Sequence, residues 1–194
     1  IKAIQAYRPF KRLGLVYNRN ELNSVLNANK IAALATEMGF ELVSHEMPLT
    51  EDGKPNAEDI PAALSLMKKA DVEFVYVGSS SFLMANRDQF TLAALSVGLP
   101  VAAAYEAFAT KSHALVAVAS RYYSVGRLAG FQAEQILVKD IPPIDIPIRS
   151  LSRFSFVINM ESARQLAIYP PLSVLRYAEV VNGIPQNTPS IQSK

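Results

Sequence analysis

The sequence predicts an α/β protein built on a doubly wound parallel sheet, and three observations predict it. Short apolar runs of strand length alternate with segments of helical periodicity from the start of the chain. The spacings between the runs are too long for hairpins, which leaves crossover connections and parallel strands. The first run, Arg12-Leu13-Gly14-Leu15-Val16-Tyr17, does not alternate with polar residues, as expected of a strand covered on both faces. Right-handed crossovers then place helices on both sides of the sheet.

Each element follows in order. A polar turn over residues 18–23 ends the first strand. A helix comes next, with Ile31, Leu34, Ala35 and Met38 on one face and Gly39 just past its end. Residues 40–45 form the second strand. Asp59 and Pro61 open another helix, since proline fits a first turn where its missing N–H has no intrahelical partner. Phe74–Val77 is the third strand, ending at Gly78 and three serines. One helix is predicted from there to about Val97, stopped by Gly98. Residues 100–105 and 114–119 supply the fourth and fifth strands. A helix over 122–138 carries Val125, Leu128, Ala129 and Ile136 at helical spacing. The segment 141–147 holds three prolines and can be neither helix interior nor central strand. Residues 154–159 resume as a strand and 161–167 as a short helix. Residues 183–194 are turn formers with few apolar side chains, predicted to be a flexible tail. No internal repeat is present.

Composition narrows the function. Of 194 residues, 50% are hydrophobic and 19% charged, which is globular and not disordered. The net charge of +2, from 19 basic and 17 acidic residues, gives no electrostatic footprint for nucleic acid. Cysteine is absent, which excludes disulfides, iron–sulfur clusters and thiolate chemistry. No apolar stretch reaches the roughly 18–20 residues of a membrane span. The chain begins at Ile1 with no signal-like segment before it, and is read as a processed or shortened product.

In a sheet of this kind ligands sit beyond the carboxyl ends of the strands. Those ends carry Tyr17, Asn18 and Glu21, then Ser79, Ser80 and Ser81, then Tyr105 and Glu106, then Ser120 and Arg121. This rim is hydroxyl-rich and aromatic, suited to hydrogen bonding a small polar solute with a tyrosine stacked against it. The serines precede a helix, so their hydroxyls and the free N–H groups there can hold an anion or simply cap the helix. Enzyme signatures of similar sheets are missing. Residues 18–23 contain no glycine where G-x-G-x-x-G is required, no G-x-x-x-x-G-K-S/T occurs, and Gly78-Ser79-Ser80-Ser81-Phe82 lacks the second glycine of a nucleophile elbow. A phospho-accepting aspartate does not end the third strand. His45 and His113 have no catalytic partner by motif, and no metal-ligand spacing is present. No cofactor is expected.

Lys11-Arg12-Leu13-Gly14-Leu15-Val16-Tyr17-Asn18-Arg19-Asn20-Glu21-Leu22-Asn23-Ser24 resembles the signature of the ABC-transporter substrate-binding family whose best-known members bind tryptophan or tyrosine, built on the type-I periplasmic-binding-protein fold. Asp71-Val72-Glu73-Phe74-Val75-Tyr76-Val77, Leu99-Pro100-Val101, Tyr122-Tyr123-Ser124-Val125-Gly126-Arg127 and Ile158-Asn159-Met160-Glu161 follow the same family in order. The resemblance implies a two-lobe protein holding its solute in the cleft between lobes, with most of the N-terminal lobe absent here. Residues 8–120 and 150–182 then form the C-terminal solute-binding lobe. Residues 121–149 are a crossover helix and hinge that belong with the absent lobe. The apolar side of that helix is expected to be exposed, or covered by a second copy of the chain.

The chain departs from the family at the rim. Ser79-Ser80-Ser81 stands for Thr-Asp-Asn, Ala104-Tyr105 for Ser-Asp, and Arg121 for the Asp before the tyrosine pair. Loss of acids and gain of Arg121 favour an anionic or neutral solute over one held by its amine. The expected contacts are Tyr17, Asn18, Glu21, Ser79, Ser80, Ser81, Tyr105, Glu106 and Arg121, with Asn23 and Ser24 opening a helix toward the cleft. The expected partners are a small solute, amino-acid-like or another metabolite, and a membrane permease, in a periplasmic or other extracytoplasmic setting (lipid-anchored in a Gram-positive cell). An extracytoplasmic sensing domain of a signalling protein is the alternative; an enzyme on a flavodoxin-like sheet lacks its motifs.

Overall fold

A computed structural model describes residues 1–151 and 154–183. Its strands are β1 (Arg12–Tyr17), β2 (Glu41–Glu46), β3 (Phe74–Val77), β4 (Val101–Ala103), β5 (Val116–Ala119), β6 (Ser155–Asn159) and β7 (Glu179–Val181). They form one sheet in the order β2-β1-β3-β4-β5-β6-β7. The first five run parallel. β6 is antiparallel to β5, and β7 parallel to β6. The chain reverses its direction of travel across the sheet between β1 and β3, the switch point at which open α/β sheets leave a crevice.

Helices cover both faces because side chains alternate along each strand. On one face α3 (Ile60–Lys69), α4 (Ser81–Ala85), α5 (Arg87–Ser96) and α6 (Glu106–Thr110) close over Val75, Val77, Val101 and Ala117 with Leu64, Met67, Leu83, Phe90 and Phe108. On the other, α1 (Lys2–Tyr7), α2 (Leu22–Met38), α8 (Met160–Leu166) and α9 (Leu172–Leu175) pack Ile4, Tyr7, Ile31, Ala163 and Val174 onto Leu13, Leu15 and Phe74. Each fully buried Phe or Leu contributes about 1.5–3 kcal/mol by leaving water. Gly14 lets α3 come close: a Cβ there would stand 2.8 Å from Met67 Sδ and 2.9 Å from Val72 Cγ1. Gly39, at φ 72°, ends α2 in the left-handed conformation and donates its N–H to Ala35.

At three points the structure differs from the sequence reading. The helix predicted from the serines to Val97 is two helices, broken at Asn86, whose side-chain amide donates to the Phe82 carbonyl. The residues before 8 were given no element, yet α1 buries Ile4 and Tyr7 in the core, and the Tyr7 hydroxyl donates to the Ile168 carbonyl at 2.9 Å. The last predicted strand is present, but it runs against its neighbour, and the short β7 beyond it went unpredicted. Of the tail predicted over 183–194, all but Gly183 lies outside the described residues.

One helix stands apart. α7 (Tyr122–Leu137) is 16 residues long and buries none of them. Tyr122, Tyr123, Leu137 and Val138 are 72–78% exposed, and Ile144 and Ile148 in the following segment are 91% and 101% exposed.

Candidate functional site

The loop after β1 and the loop after β3 are tied together by side chains. Asn18 is fully buried; its Oδ1 accepts from Ser80 Oγ at 2.8 Å and from Ser24 Oγ at 3.3 Å. Ser24 Oγ in turn accepts from the Asn18 N–H at 3.1 Å. Ser80 is the N-cap of α4, its Oγ accepting from the Leu83 N–H at 3.1 Å. The Glu21 carboxylate crosses the same gap and accepts from the N–H groups of Ser81 at 2.7 Å and Phe82 at 3.0 Å, and from Asn18 Nδ2 at 3.0 Å. Burial raises the Glu21 pKa, but these hydrogen bonds outweigh it and hold the carboxyl below its ordinary 4.5.

Of the two readings of Ser79–Ser81, capping of the helix is the one the structure shows. The donors of Ser81, Phe82 and Leu83 are already used by Glu21 and Ser80, so the α4 N-terminus carries its own anion. Asn18, Glu21, Ser24, Ser80 and Ser81 brace the rim and have few groups left for a solute. Tyr17 turns to the β2 edge, where its hydroxyl donates to Glu46 at 3.0 Å, and Asn23 is exposed on α2. Burial, then the Glu46 contact, pushes the Tyr17 pKa up.

The open depression lies beside this brace, over the ends of β3, β4 and β5, with a volume of about 500 Å³. Of the predicted residues, Ser79, Tyr105 and Glu106 line it. Tyr105 stacks on Phe108, ring centroids 6.4 Å apart, and its hydroxyl donates to Ser79 Oγ at 3.3 Å. Its walls also include Met84, Ala104 and Ala107, and its open side meets Tyr122 and Val125 of α7.

Arg121 does not line this depression. It begins α7, and its guanidinium is held between two carboxylates: Nε lies 3.2 Å from Glu106 Oε1, and Nη2 pairs with Glu179 of β7. The anionic solute expected from an unpartnered Arg121 loses its basis, because two carboxylates already compensate that charge. The charged groups lining the depression are Lys111 and Glu106, the latter already paired with Arg121.

Asn27 was missed by the sequence reading. It lines the depression from the second turn of α2, and a Cβ on Gly78 would fall inside its carboxamide. Burial pushes the nearby Tyr76 hydroxyl above its ordinary pKa of 10, with Asn27 acting the other way. The glycine ending β3 was the available signal, since a residue without a side chain beside a ligand rim marks a close approach. Among the described residues no cluster of His, Asp or Glu is arranged to hold a metal ion, and no helix is long and apolar enough to cross a membrane.

The sheet order, the covered faces and the rim depression are those of a lobe of a periplasmic-binding-protein-like fold, and comparisons with known proteins agree. The family described as ABC transporter substrate binding protein matches residues 1–182, and the chain belongs to it. This is a family of binding proteins, not enzymes. The chain is 26% identical over 158 residues to a tyrosine-binding protein of Clostridioides difficile, spanning 80% of this chain and 42% of that one. Three solved structures share the fold. One is a conserved domain protein from Vibrio cholerae (TM-score 0.75, 22% identity, 92% of this chain and 57% of that one). Another is a ligand-free, open substrate-binding protein from Clostridium difficile (TM-score 0.76, 18% identity, 93% and 57%). The third is an ABC domain in complex with L-Trp from Streptococcus pneumonia (TM-score 0.73, 23% identity, 92% and 58%). The chain thus spans about half the length of the relatives it matches.

Proposed function

We propose that this chain is the C-terminal jaw of a two-lobe solute receptor that serves an ABC importer outside the cytoplasm. The single observation that carries the proposal is α7: a helix with an apolar stripe and no buried residue, forming the open wall of the depression. Contiguous exposed apolar surface of this kind calls for a partner. A second lobe packed on α7 and on residues 139–149 would cover it and roof the depression at once. The solute would then touch both lobes only in the closed form, so binding shifts the population toward closure without any chemistry. A membrane permease would read the closed form.

The depression supports a small, amino-acid-like solute. Its walls are apolar at Ala104, Ala107 and Met84, Tyr105 supplies a stacking surface, and Ser79, Thr110 and Ser120 supply hydroxyls, beside Lys111 and a Glu106 carboxylate shared with Arg121. Relatives that bind tyrosine and L-Trp favour the same class. The test is a thermal-shift and small-angle scattering series on the intact protein with L-tyrosine, L-tryptophan, L-phenylalanine and a dicarboxylate. A raised melting temperature together with a smaller radius of gyration is expected for at least one amino acid. A rise for the dicarboxylate alone would return the solute to the anionic class, and no response to any would remove the proposal.

A further inference from the structure

Residues 121–149, which are α7 and the segment after it, leave and rejoin the sheet at one corner. The chain departs after Ala119 and is back at Ser155, and these two residues are register partners at the end of the β5–β6 pair. Ser155 Oγ donates to the Ala119 carbonyl at 2.9 Å. On the two-lobe reading above, on which this inference rests, the second lobe rides on α7. Any swing of that lobe then pivots about this corner.

One side chain crosses the pivot. Arg121 belongs to α7 by its backbone, its carbonyl accepting from the N–H groups of Ser124 at 2.9 Å and Val125 at 3.1 Å. Its guanidinium belongs to the sheet: Nε donates to Glu106 at the start of α6 at 3.2 Å, and Nη2 donates to Glu179 of β7. Among the described residues, these two are the only hydrogen bonds or ion pairs that join residues 121–149 to the rest of the chain. No residue of that stretch is buried, so packing adds little to hold its angle. The planar guanidinium, gripped from two elements at once, supplies direction as well as attraction. Arg121 and Glu179 are about half exposed, and pairs of this kind are individually weak. That suits a latch that opens and recloses as lobes move.

We propose that Arg121 is the positioning residue of the hinge, a latch that sets the angle at which α7, and with it the second lobe, stands over the empty depression. Its two pairs favour the latched angle by about fivefold. The measurement is the distance between spin labels at Glu37→Cys on α2 and Val138→Cys just past α7, both exposed, in the intact protein without solute. This chain has no cysteine of its own to compete for label. The otherwise unaltered protein is expected to show one dominant distance. In Arg121→Gln that fraction should fall to about half, and adding Glu179→Gln should lower it no further. Sodium chloride at about 1 M should act like Arg121→Gln on the latched protein and leave the variant as it was. The distance from Glu37→Cys to Lys69→Cys, both inside the sheet lobe, should stay the same throughout. An unaltered α7 distance in Arg121→Gln, or an equal change in the Glu37–Lys69 distance, overturns the latch and leaves the two-lobe reading standing. A label at Leu137→Cys, on the exposed apolar side of α7, tests that reading itself. An immobilised spectrum in the intact protein supports it, and a freely mobile one overturns both.

Discussion

Replacing Glu21 with alanine tests whether the rim is braced from within. Its carboxylate accepts three hydrogen bonds, from the Ser81 and Phe82 N–H groups and from Asn18 Nδ2, at 2.7, 3.0 and 3.0 Å. Ser81 is exposed, so water replaces its partner; Phe82 and the buried Asn18 are less easily resatisfied. Loss of a helix cap costs about 0.5–2 kcal/mol, and Asn18 adds to it, so Glu21→Ala should destabilise by about 2 kcal/mol and Glu21→Gln by about 1. For a chain of this size about 2 kcal/mol lowers Tm by roughly 4–8 °C. The sign of the pH dependence follows from the depressed carboxyl pKa. The stabilisation is complete above the ordinary 4.5 and is lost as pH falls through the lower folded-state value. Scanning calorimetry of wild type and both variants at pH 7 and pH 3 should therefore show a gap that narrows at the acid end. A gap that is the same at both pH values, or an alanine variant within about 1 °C of wild type at pH 7, would refute the brace.

Other changes have equally definite outcomes. Ala167 ends α8 in the left-handed conformation at φ 53°, so Ala167→Gly should stabilise by about 0.5–1 kcal/mol, read as a higher urea midpoint. Gly14→Ala should destabilise by about 1–3 kcal/mol, since Met67 and Val72 must move; an unchanged urea midpoint would show that α3 does not approach β1 as described. Arg121→Gln should speed amide exchange in β7 and at the start of α7 while leaving β1 and β3 protected, because Arg121 ties Glu179 and Glu106 to that junction.

β1, β3, β4 and β5 were legible as apolar runs and β2 from Leu42 and Val43 alone, while α2 was legible because Ile31 and Ala35 repeat at helical spacing before a glycine. α1 was not, since Ile4 and Tyr7 alone make too short a pattern, and β7 was not, since only Val180 and Val181 mark it. The direction of β6 is a pairing property, and no local pattern in Ser155–Asn159 encodes it. At the site, strand ends pointed to Ser79, Tyr105 and Glu106. The same rule picked out Asn18, Ser24 and Ser80, whose hydrogen bonds are consumed by one another. Arg121 looked like a free cation because one of its partners, Glu179, lies 58 residues away. Asn27 was hidden inside a helix, visible only through the glycine it packs against.

The cross-tied tips of β1 and β3 bear on how such a protein could be retuned. Loops that can bend often accommodate a new metabolite by rearranging, whereas loops latched by Asn18 and Glu21 hold their shape whatever arrives. On the proposed solute-binding reading, altered preference would have to come from swapping side chains outside the latch, among them Asn27, Ser79 and Tyr105. A mutational library confined to those positions is thus a compact way to probe that reading.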